Sequence, residues 1–318
     1  MTQDRSGRLD RGTTVVVVNY NSTAATTRLV ESIRGASASV VVVDNASPDG
    51  AFAGFAQSHP DVTVLELPAN IGYGGAANRA ADQVEGDVMI LCNPDVVADA
   101  AALALLADAV RANGVAIAAP LFRFPDGKLQ PSAHRRYPGL MTTLVDLSPA
   151  VGAFTKRLAP TWHPTLFTVA DHARPLDAHH VLGAVMAIDL RAYREVGGFD
   201  ESFFLYREET DLCLRVRRAG WRVVHVPEAV VVHEGGGSTL DGAMTQARPA
   251  HLESHYRFIA KHRGRLVAVV ARTLGLLACA SWLVTGPDRA AARTALRWHL
   301  RGGPEGLATL PRRGAASP

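Results

Sequence analysis

Between Thr13 and Ala118 the apolar positions switch repeatedly between two spacings. Thr13–Val18 is an unbroken β-branched run, the pattern of a strand buried on both faces. Thr23–Ile33 sets Leu29, Val30 and Ile33 on one side of a helix. Val40–Val43 is a second apolar run, ending at Asp44-Asn45, and Ala51–Gln57 predicts a short helix. Val62–Leu65 predicts a third strand, Gly74–Val84 a helix, and Val88–Leu91 a fourth strand that runs into Asn93-Pro94-Asp95. Asp99–Arg111 is an Ala/Leu-rich helix with Asp99 as its N-cap, and Val115–Ala118 is a fifth strand. Strand and helix alternate throughout, which predicts an α/β domain around a mostly parallel sheet. The polar residues gather after the strand C-termini, where open sheets of this kind bind ligands.

The rhythm breaks between Phe122 and Asp177, where Pro, His and Arg are frequent; long loops and an edge strand are expected there. Val181–Ile188 resumes as a strand, followed by a short helix at Asp189–Val196 that Gly197-Gly198 stops. Glu208–Ala219 reads as a helix, and Arg222–Val226 and Ala229–His233 as two strands. Pro249–Lys261, Leu266–Val284 and Arg289–Leu300 close the chain as helices. Met1–Gly12 is polar, lacks the apolar core of a secretory signal and is expected to be a disordered lead.

Composition bounds the function. The 318 residues carry 47% hydrophobic and 20% charged side chains, values of a folded globular chain. Cys92, Cys213 and Cys279 form no CxxC pair, so neither a disulfide scaffold nor a cysteine zinc cluster is expected, and reduced thiols in a cytoplasmic setting are. The net charge of +3 gives no chain-wide basic surface for nucleic acid. It is a sum of two unlike parts. Residues 249–318 hold 11 Lys+Arg and 3 Asp+Glu, a surplus of +8, while residues 1–248 hold 22 and 27, or −5. A basic tail on a mildly acidic body points to a membrane surface or another anionic partner.

Four stretches carry candidate chemistry. Gly72-Tyr73-Gly74-Gly75-Ala76-Ala77 contains GxGxxA at a helix start, formally a dinucleotide fingerprint. It follows the third strand rather than the first, and Leu67-Pro68-Ala69-Asn70 prevents the tight strand-to-helix turn that the fingerprint needs. What remains is a glycine-rich helix start that lets backbone approach a phosphate or sugar, or simply a packed turn. Asp44-Asn45 and Asp95 stand at two strand ends; one carboxylate suits a base or ribose, the other a divalent cation bridging a diphosphate. Glu208, Glu209 and Asp211 crowd one helix start, which the helix dipole favours; the aromatics Phe203, Phe204 and Tyr206 before them suggest a general base beside an acceptor platform. His233 ends a strand and borders Glu234-Gly235-Gly236-Gly237-Ser238, where a ligand or gating role is expected.

Taken in order, Val17-Val18-Asn19-Tyr20-Asn21, Val43-Asp44-Asn45-Ala46-Ser47, Asn70-Ile71-Gly72-Tyr73-Gly74, Asn93-Pro94-Asp95, Gly183-Ala184, Gly197–Glu201, Glu208–Arg215 and His233–Gly236 resemble the bacterial family 2 glycosyltransferases. The resemblance spans roughly residues 13–262 and is nearest to rhamnosyltransferases that build cell-wall linkers and O-antigen-like polysaccharides. It implies the GT-A fold, a Rossmann-like, mixed and mostly parallel sheet with helices on both faces, here with a C-terminal helical extension. The implied division is a lead at 1–12, a catalytic domain at 13–248 and a basic helical extension at 249–318. By resemblance, Asn19, Tyr20, Asp44 and Asn45 line the nucleotide pocket; Asn70, Gly72, Tyr73 and Asn78 hold the nucleotide sugar; and Gly183-Ala184 lies beneath the donor sugar. Asn93 and Asp95 take the place of the family's DXD motif, with Asp95 and His233 on Mg²⁺ or Mn²⁺.

Two departures bear on mechanism. The usual Glu-Asp pair is Glu208-Glu209 here, which makes Glu209 the expected base and leaves Glu208 and Asp211 as alternatives. The first DXD position is Asn93, so fewer carboxylates face the metal. The expected activity is inverting transfer from a nucleoside diphosphate sugar, dTDP-rhamnose first and UDP- or GDP-sugars as alternatives, to a lipid-linked saccharide. A catalytically silent sugar-binding protein on the same fold and a nucleotidyltransferase are the competing readings; the latter usually needs a Gly-rich basic loop where Asn19-Tyr20-Asn21-Ser22 stands. In the tail, Lys261, Arg265 and Arg272 share one helical face, and Leu266–Val284 is apolar over 19 residues. An amphipathic helix in the membrane interface is expected, against a helix packed on the body or on the second subunit of a homodimer, or a spanning one. The chain is then a peripheral protein on the cytoplasmic face of the plasma membrane.

Overall fold

The computed structural model describes residues 9–10, 12–48, 50, 52–130, 133–134, 136–147, 157, 167, 169–234, 249–285 and 289–301. In chain order the elements are β1 (Thr13–Asn19), α1 (Thr23–Ser32), β2 (Ser39–Asp44), α2 (Phe55–Ser58), β3 (Thr63–Glu66), α3 (Tyr73–Ala81), β4 (Val88–Cys92), β5 (Val96–Val97), α4 (Ala100–Arg111) and β6 (Val115–Arg123). Then come β7 (Leu129–Gln130), β8 (Ala133–His134), α5 (Leu140–Leu147), α6 (Val169–His172), β9 (Leu176–Asp177), β10 (His180–Val181), β11 (Val185–Asp189), α7 (Leu190–Glu195), α8 (Glu208–Arg218) and β12 (Arg222–His233). Three helices follow: α9 (Pro249–Arg263), α10 (Arg265–Thr285) and α11 (Arg289–Arg301).

The main sheet runs β3-β2-β1-β4-β11-β6-β12-β5, with β7 and β9 on its margins. β3, β2, β1 and β4 are parallel, and β11 lies antiparallel between β4 and β6. Each residue of β1 is buried, because both faces are covered. Val15 and Val17 pack with Leu29 and Val30 of α1 and Leu103 and Leu106 of α4. Val16 and Val18 face the other way, onto Ala76, Ala77 and Ala80 of α3 and Leu212 and Val216 of α8. Alternation along a strand therefore builds two cores, one per face. The chain leaves β1 in one direction through β2 and β3, then places β4 on the other flank of β1. That reversal opens a crevice at the carboxyl ends of β1, β2 and β4. Asp99 caps α4 as expected, accepting from the Ala102 N–H at 2.7 Å.

Several expectations change. Arg222–Val226 and Ala229–His233 are one strand, β12, whose register against β6 slips between Val226 and Val230. Pro227 has no N–H for the ladder, and a bulge absorbs it. β6 runs on to Arg123 and returns through the Gly127 turn as β7. The irregular stretch also supplies β8, which pairs with β10, and the helix α5. β5 was not expected; its two residues pair with Val232 and His233. The lead is ordered at its end: Leu9 is buried, Asp10 accepts from Gly12 N and from Arg111, and the Gly12 carbonyl receives the N–H groups of Asp87 and Val88. Residues 1–8 and 11 lie outside the described residues, as does the glycine loop 235–238.

The tail helices form a small core of their own, with Tyr256, Ile259, Ala271, Cys279, Trp282 and Ala295. α10 is long and apolar enough to cross a membrane, yet one side of it is covered by this core. Of the expected cationic face, Arg265 is exposed while Lys261 and Arg272 are turned inward. Lys261 pairs with Asp200 and Asp211, and Arg272 donates to the His299 carbonyl and lies 4.9 Å over the Trp298 ring. These cations settle on buried acceptors because an unpaired charge there would lose its water without compensation. The outward side of α10 carries Leu266, Val269, Val270, Leu277 and Val284 instead. On α11 the exposed cations Arg289, Arg293, Arg297 and Arg301 recur every four residues.

Candidate active site

The β1 and β2 ends are wired to each other before they meet any ligand. Asn19 Nδ2 donates to Asp44 Oδ1 at 2.7 Å and to Ser47 Oγ at 3.2 Å, and the Thr26 hydroxyl donates to Asn19 Oδ1 at 2.8 Å. Both Asn19 and Asp44 are buried. Asn45 reaches across to the loop before α3: its Nδ2 donates to Asn70 Oδ1 at 2.9 Å and to the Gly72 carbonyl at 3.2 Å, and its Oδ1 accepts the Ile71 N–H at 3.0 Å.

Gly72 has φ +81°, a backbone region that side chains rarely adopt. A Cβ there would meet the Phe204 carbonyl oxygen at 2.4 Å. That carbonyl accepts the Tyr73 N–H at 3.1 Å, at the open start of α3. The loop 203–207 is thereby pinned onto the donor loop. Its last two residues, Tyr206 and Arg207, both have φ near +68°, and α8 begins directly after them.

A cavity of about 360 Å³ lies between these loops. Tyr20, Asn45, Asn70, Gly72, Tyr73, Asn93 and Asp95 line it, together with Phe204 and Tyr206. The expected aromatic platform is therefore split: Phe204 and Tyr206 face the cavity, while Phe203 is buried. Other expected site residues stand elsewhere. Asn19 and Asp44 sit behind the wall as a buried brace. Asn78 belongs to the 198–201 turn: its Nδ2 donates to the Phe199 carbonyl and Glu201 Oε1 at 3.0 Å, and its Oδ1 accepts the Phe199 N–H. With both ends satisfied there, Asn78 is a structural residue rather than a donor contact. Gly183 and Ala184 lie in the turn before β11. The Ala184 carbonyl accepts the Asn93 N–H at 2.8 Å, and Gly183 leaves room for the Glu209 side chain, 3.2 Å from where a Cβ would stand.

The carboxylates converge on Tyr73. Burial pushes its phenol well above the usual value, and Cys92, Glu208, Asp95 and Glu209 add to the shift. Asp95 Oδ1 lies 3.5 Å from His233 Nε2, whose Nδ1 is 3.0 Å from Gln130 Oε1. The β5–β12 pairing creates this contact, since Asp95 directly precedes β5 and His233 ends β12. One carboxylate and one imidazole are a partial donor set, and among the described residues no cluster of three His, Cys, Asp or Glu exists. That fits a cation such as Mg²⁺, which keeps waters and takes further oxygens from a diphosphate.

The three acids of α8 differ sharply. Glu208 is buried, and its Oε2 has no partner among the described residues. Burial, reinforced by Glu209, holds its carboxyl well above the usual range. Among the described residues Glu209 accepts only the Thr210 hydroxyl, at 2.8 Å, and its side chain lies beside Gly183. Asp211 is fully buried. Burial alone would raise its carboxyl, but the His262 hydrogen bond at 2.6 Å and the charges of Arg215 and Lys261 hold it far below the usual value. Lys261 and His262 belong to α9, so this cluster clamps the base helix to the tail. Neither residue was expected in this role, because a lone Lys-His pair in a helix has no sequence signature.

A family model described as Glycosyl transferase family 2 matches residues 14–197, and one described as Glycosyl transferase family group 2 matches residues 161–282. The chain is 34% identical over 310 residues to an N-acetylglucosaminyl-diphospho-decaprenol L-rhamnosyltransferase of Mycobacterium tuberculosis, covering 90% of this chain and 96% of that protein. Among solved structures, the mannosyltransferase PcManGT of Pyrobaculum calidifontis in complex with GDP-Man and Mn²⁺ superposes with a TM-score of 0.55 at 18% identity, over 93% of this chain and 81% of that one. GalNAc-T7 with UDP, GalNAc and Mn²⁺ superposes with a TM-score of 0.56 at 17% identity, over 79% of this chain and 48% of that one.

Two outcomes test this geometry. Gly72→Ala is expected to cost about 2–3 kcal/mol in urea unfolding, against about 1 kcal/mol for Gly35→Ala, which shares a positive φ but has open space around it. Equal costs would mean that the Phe204 approach contributes nothing. The depressed Asp211 carboxyl contributes stability that is complete above its ordinary value of 3.8 and is lost as pH falls toward its folded value. Asp211→Asn is therefore expected to lower the urea midpoint at pH 7 and to flatten the decline between pH 4 and 2; an unchanged acid slope would refute the assignment.

Proposed function

The chain belongs to glycosyl transferase family 2, and from that premise we propose that it transfers a sugar, with inversion, from a nucleoside diphosphate sugar to a polyprenyl-diphosphate-linked saccharide. dTDP-rhamnose is the donor we assign, supported by the name of the mycobacterial relative. The observation that carries the reading is the cavity lined by Asn45, Asn70, Asn93 and Asp95, with Tyr73 in its wall and the charges of Glu208 and Glu209 acting on Tyr73 from α8. We take residues 13–248 as the catalytic unit and 249–318 as a basic helical extension.

The donor lies in the cavity with its diphosphate toward Asn93 and Asp95. Mg²⁺ or Mn²⁺ held by Asp95 and His233 would offset the charge that builds on the leaving diphosphate. Glu209 takes the proton of the acceptor hydroxyl, whose oxygen attacks the anomeric carbon as the bond to the diphosphate breaks. Glu208 is buried beside that base, and its carboxyl is shifted well above the usual range, which disfavours a second negative charge there. Asp211 is excluded from the role by its pairing with Arg215 and Lys261 and its hydrogen bond to His262. The Phe204 and Tyr206 walls keep water from the reacting carbon.

A lipid-linked acceptor calls for membrane proximity, and the exposed apolar stripe of α10 beside the arginine row of α11 supports docking on an anionic surface at the cytoplasmic face. α10 then lies along the interface with its other side kept in the tail core.

Glu209→Gln is expected to lower kcat by 10²–10⁴-fold while calorimetry still records donor binding, as removal of a general base alone does; full turnover would move the base elsewhere. A thermal-shift panel with Mn²⁺ is expected to rank dTDP-rhamnose above UDP- and GDP-sugars, and a larger response to either of those would reassign the donor. Arg293→Glu with Arg297→Glu is expected to abolish flotation with phosphatidylglycerol vesicles and leave turnover of a water-soluble acceptor intact. Undiminished flotation would remove the membrane role of α11, and a concentration-dependent dimer would give the stripe to a second copy.

A further inference from the structure

Tyr206 and Ala250 belong to the cavity wall, and the next residue after each, Arg207 and His251, meet: Arg207 Nη2 and His251 Nε2 are 3.3 Å apart. The Tyr206 ring stands 5.4 Å from that of His251. His255, one turn on, is buried with its Nε2 2.8 Å from the Thr143 hydroxyl, and His180 stacks on His134 at 4.0 Å. Burial, with the nearby Arg207 charge contributing, holds both His180 and His255 well below 6.5, so they stay neutral. Arg207 thus carries the positive charge of an imidazole-lined corner. No carboxylate lies within ion-pair distance of it among the described residues, and its Nε is buried without a hydrogen-bond partner. A half-buried guanidinium without an anion is costly. Its backbone is held in the left-handed region as well, at φ +67°, which costs roughly 1–2 kcal/mol for a residue with a side chain.

An anion completes this corner, and its position selects which one. Asp95, on the donor side, lies with His233 at the β5–β12 pairing. Arg207 is two residues from Glu209, a span of at most about 7 Å, comparable to the width of one pyranose ring. A sugar whose hydroxyl meets Glu209 is thus of a size to carry its anomeric substituent to the neighbourhood of Arg207. Beyond the corner, Tyr137 stacks near His180 at 5.7 Å and Phe258 at 6.2 Å. Tyr137, Phe258 and Val267 line one side of a second cavity of about 400 Å³ that Arg218, His262 and Arg263 line as well, and Val267 adjoins Leu266 at the head of the exposed α10 stripe.

We propose that Arg207, with the His251 ring beside it, binds the diphosphate of the lipid-linked acceptor, placing the acceptor hydroxyl at Glu209 and leading the isoprenyl chain past Tyr137 and Phe258 toward α10. The assignment rests on the glycosyl-transfer reading above and deepens it. Arginine suits the task because its fork pairs with phosphate oxygens in two-pronged fashion.

The test titrates farnesyl diphosphate, farnesyl monophosphate and farnesol into the full chain by calorimetry. The native chain is expected to prefer the diphosphate over farnesol by about tenfold or more. Arg207→Asn, a residue that accepts the left-handed backbone, is expected to erase that preference and leave dTDP affinity unchanged; His251→Gln is expected to reduce it. In kinetics, Arg207→Asn is expected to raise KM for a diphosphate-linked acceptor about tenfold or more and to leave KM for a phosphate-free glycoside unchanged. Equal binding of the three ligands by the native chain overturns the proposal. So does a parallel loss of dTDP affinity in Arg207→Asn, which would put the guanidinium in the donor site. A native chain that prefers farnesyl diphosphate yet turns over no nucleotide sugar overturns the glycosyl-transfer reading and leaves the anion site standing.

Discussion

The site depends on the approach of the Phe204 carbonyl to Gly72. The loops around residues 70–73 and 203–207 are far apart in the chain, and they meet where a backbone oxygen occupies the space of a missing Cβ. The same oxygen accepts the Tyr73 N–H, so one contact satisfies an orphan donor at the start of α3 and anchors the loop that leads into α8. Moving either loop alone would open the cavity wall and leave that N–H unpaired. The glycine is required by the contact itself, since any side chain there would push Phe204 and Tyr206 away from Asn45 and Asn70.

Behind this wall, α8 is held from the other side by ions. Asp211 is buried with Arg215, Lys261 and His262 around it, and Lys261 also reaches Asp200. Such a cluster recovers little net stability, because each ion gives up its water. What it contributes is position. Only one orientation of α9 against α8 satisfies all partners, so the tail sets the direction in which Glu208 and Glu209 point. The tail is thus tied to the catalytic helix by α9 while α10 presents its apolar stripe outward.

The strands and helices around β1 were legible because full burial leaves an unmistakable mark: a strand covered on both faces has no polar positions to confuse its period. The same was true of Asp95, Tyr73 and Glu209, which stand at strand or helix ends that the pattern located. β5 was not legible. Two residues carry no period, and only pairing with β12 makes Val96–Val97 a strand. Asn78 misled for the opposite reason. It sits within a motif, yet the Phe199 turn consumes its amide, a partner 121 residues away that no local pattern contains. The tail charges misled likewise, since helical spacing says that Lys261 and Arg272 share a face but not whether that face meets lipid or Asp211.

The sequence by itself determined the alternation of elements, the ligand-bearing strand ends, the split of charge between body and tail, and the set of acids from which a base is drawn. These follow from local periodicity and composition, which short-range physics suffices to read. Tertiary structure alone decided which acid keeps an open side, which is buried without a partner for one oxygen and which is clamped. Burial and the approach of groups from distant elements set those states, and Glu208, Glu209 and Asp211, three residues apart at most, end in three different environments because α3, the turn before β11 and α9 each approach one of them.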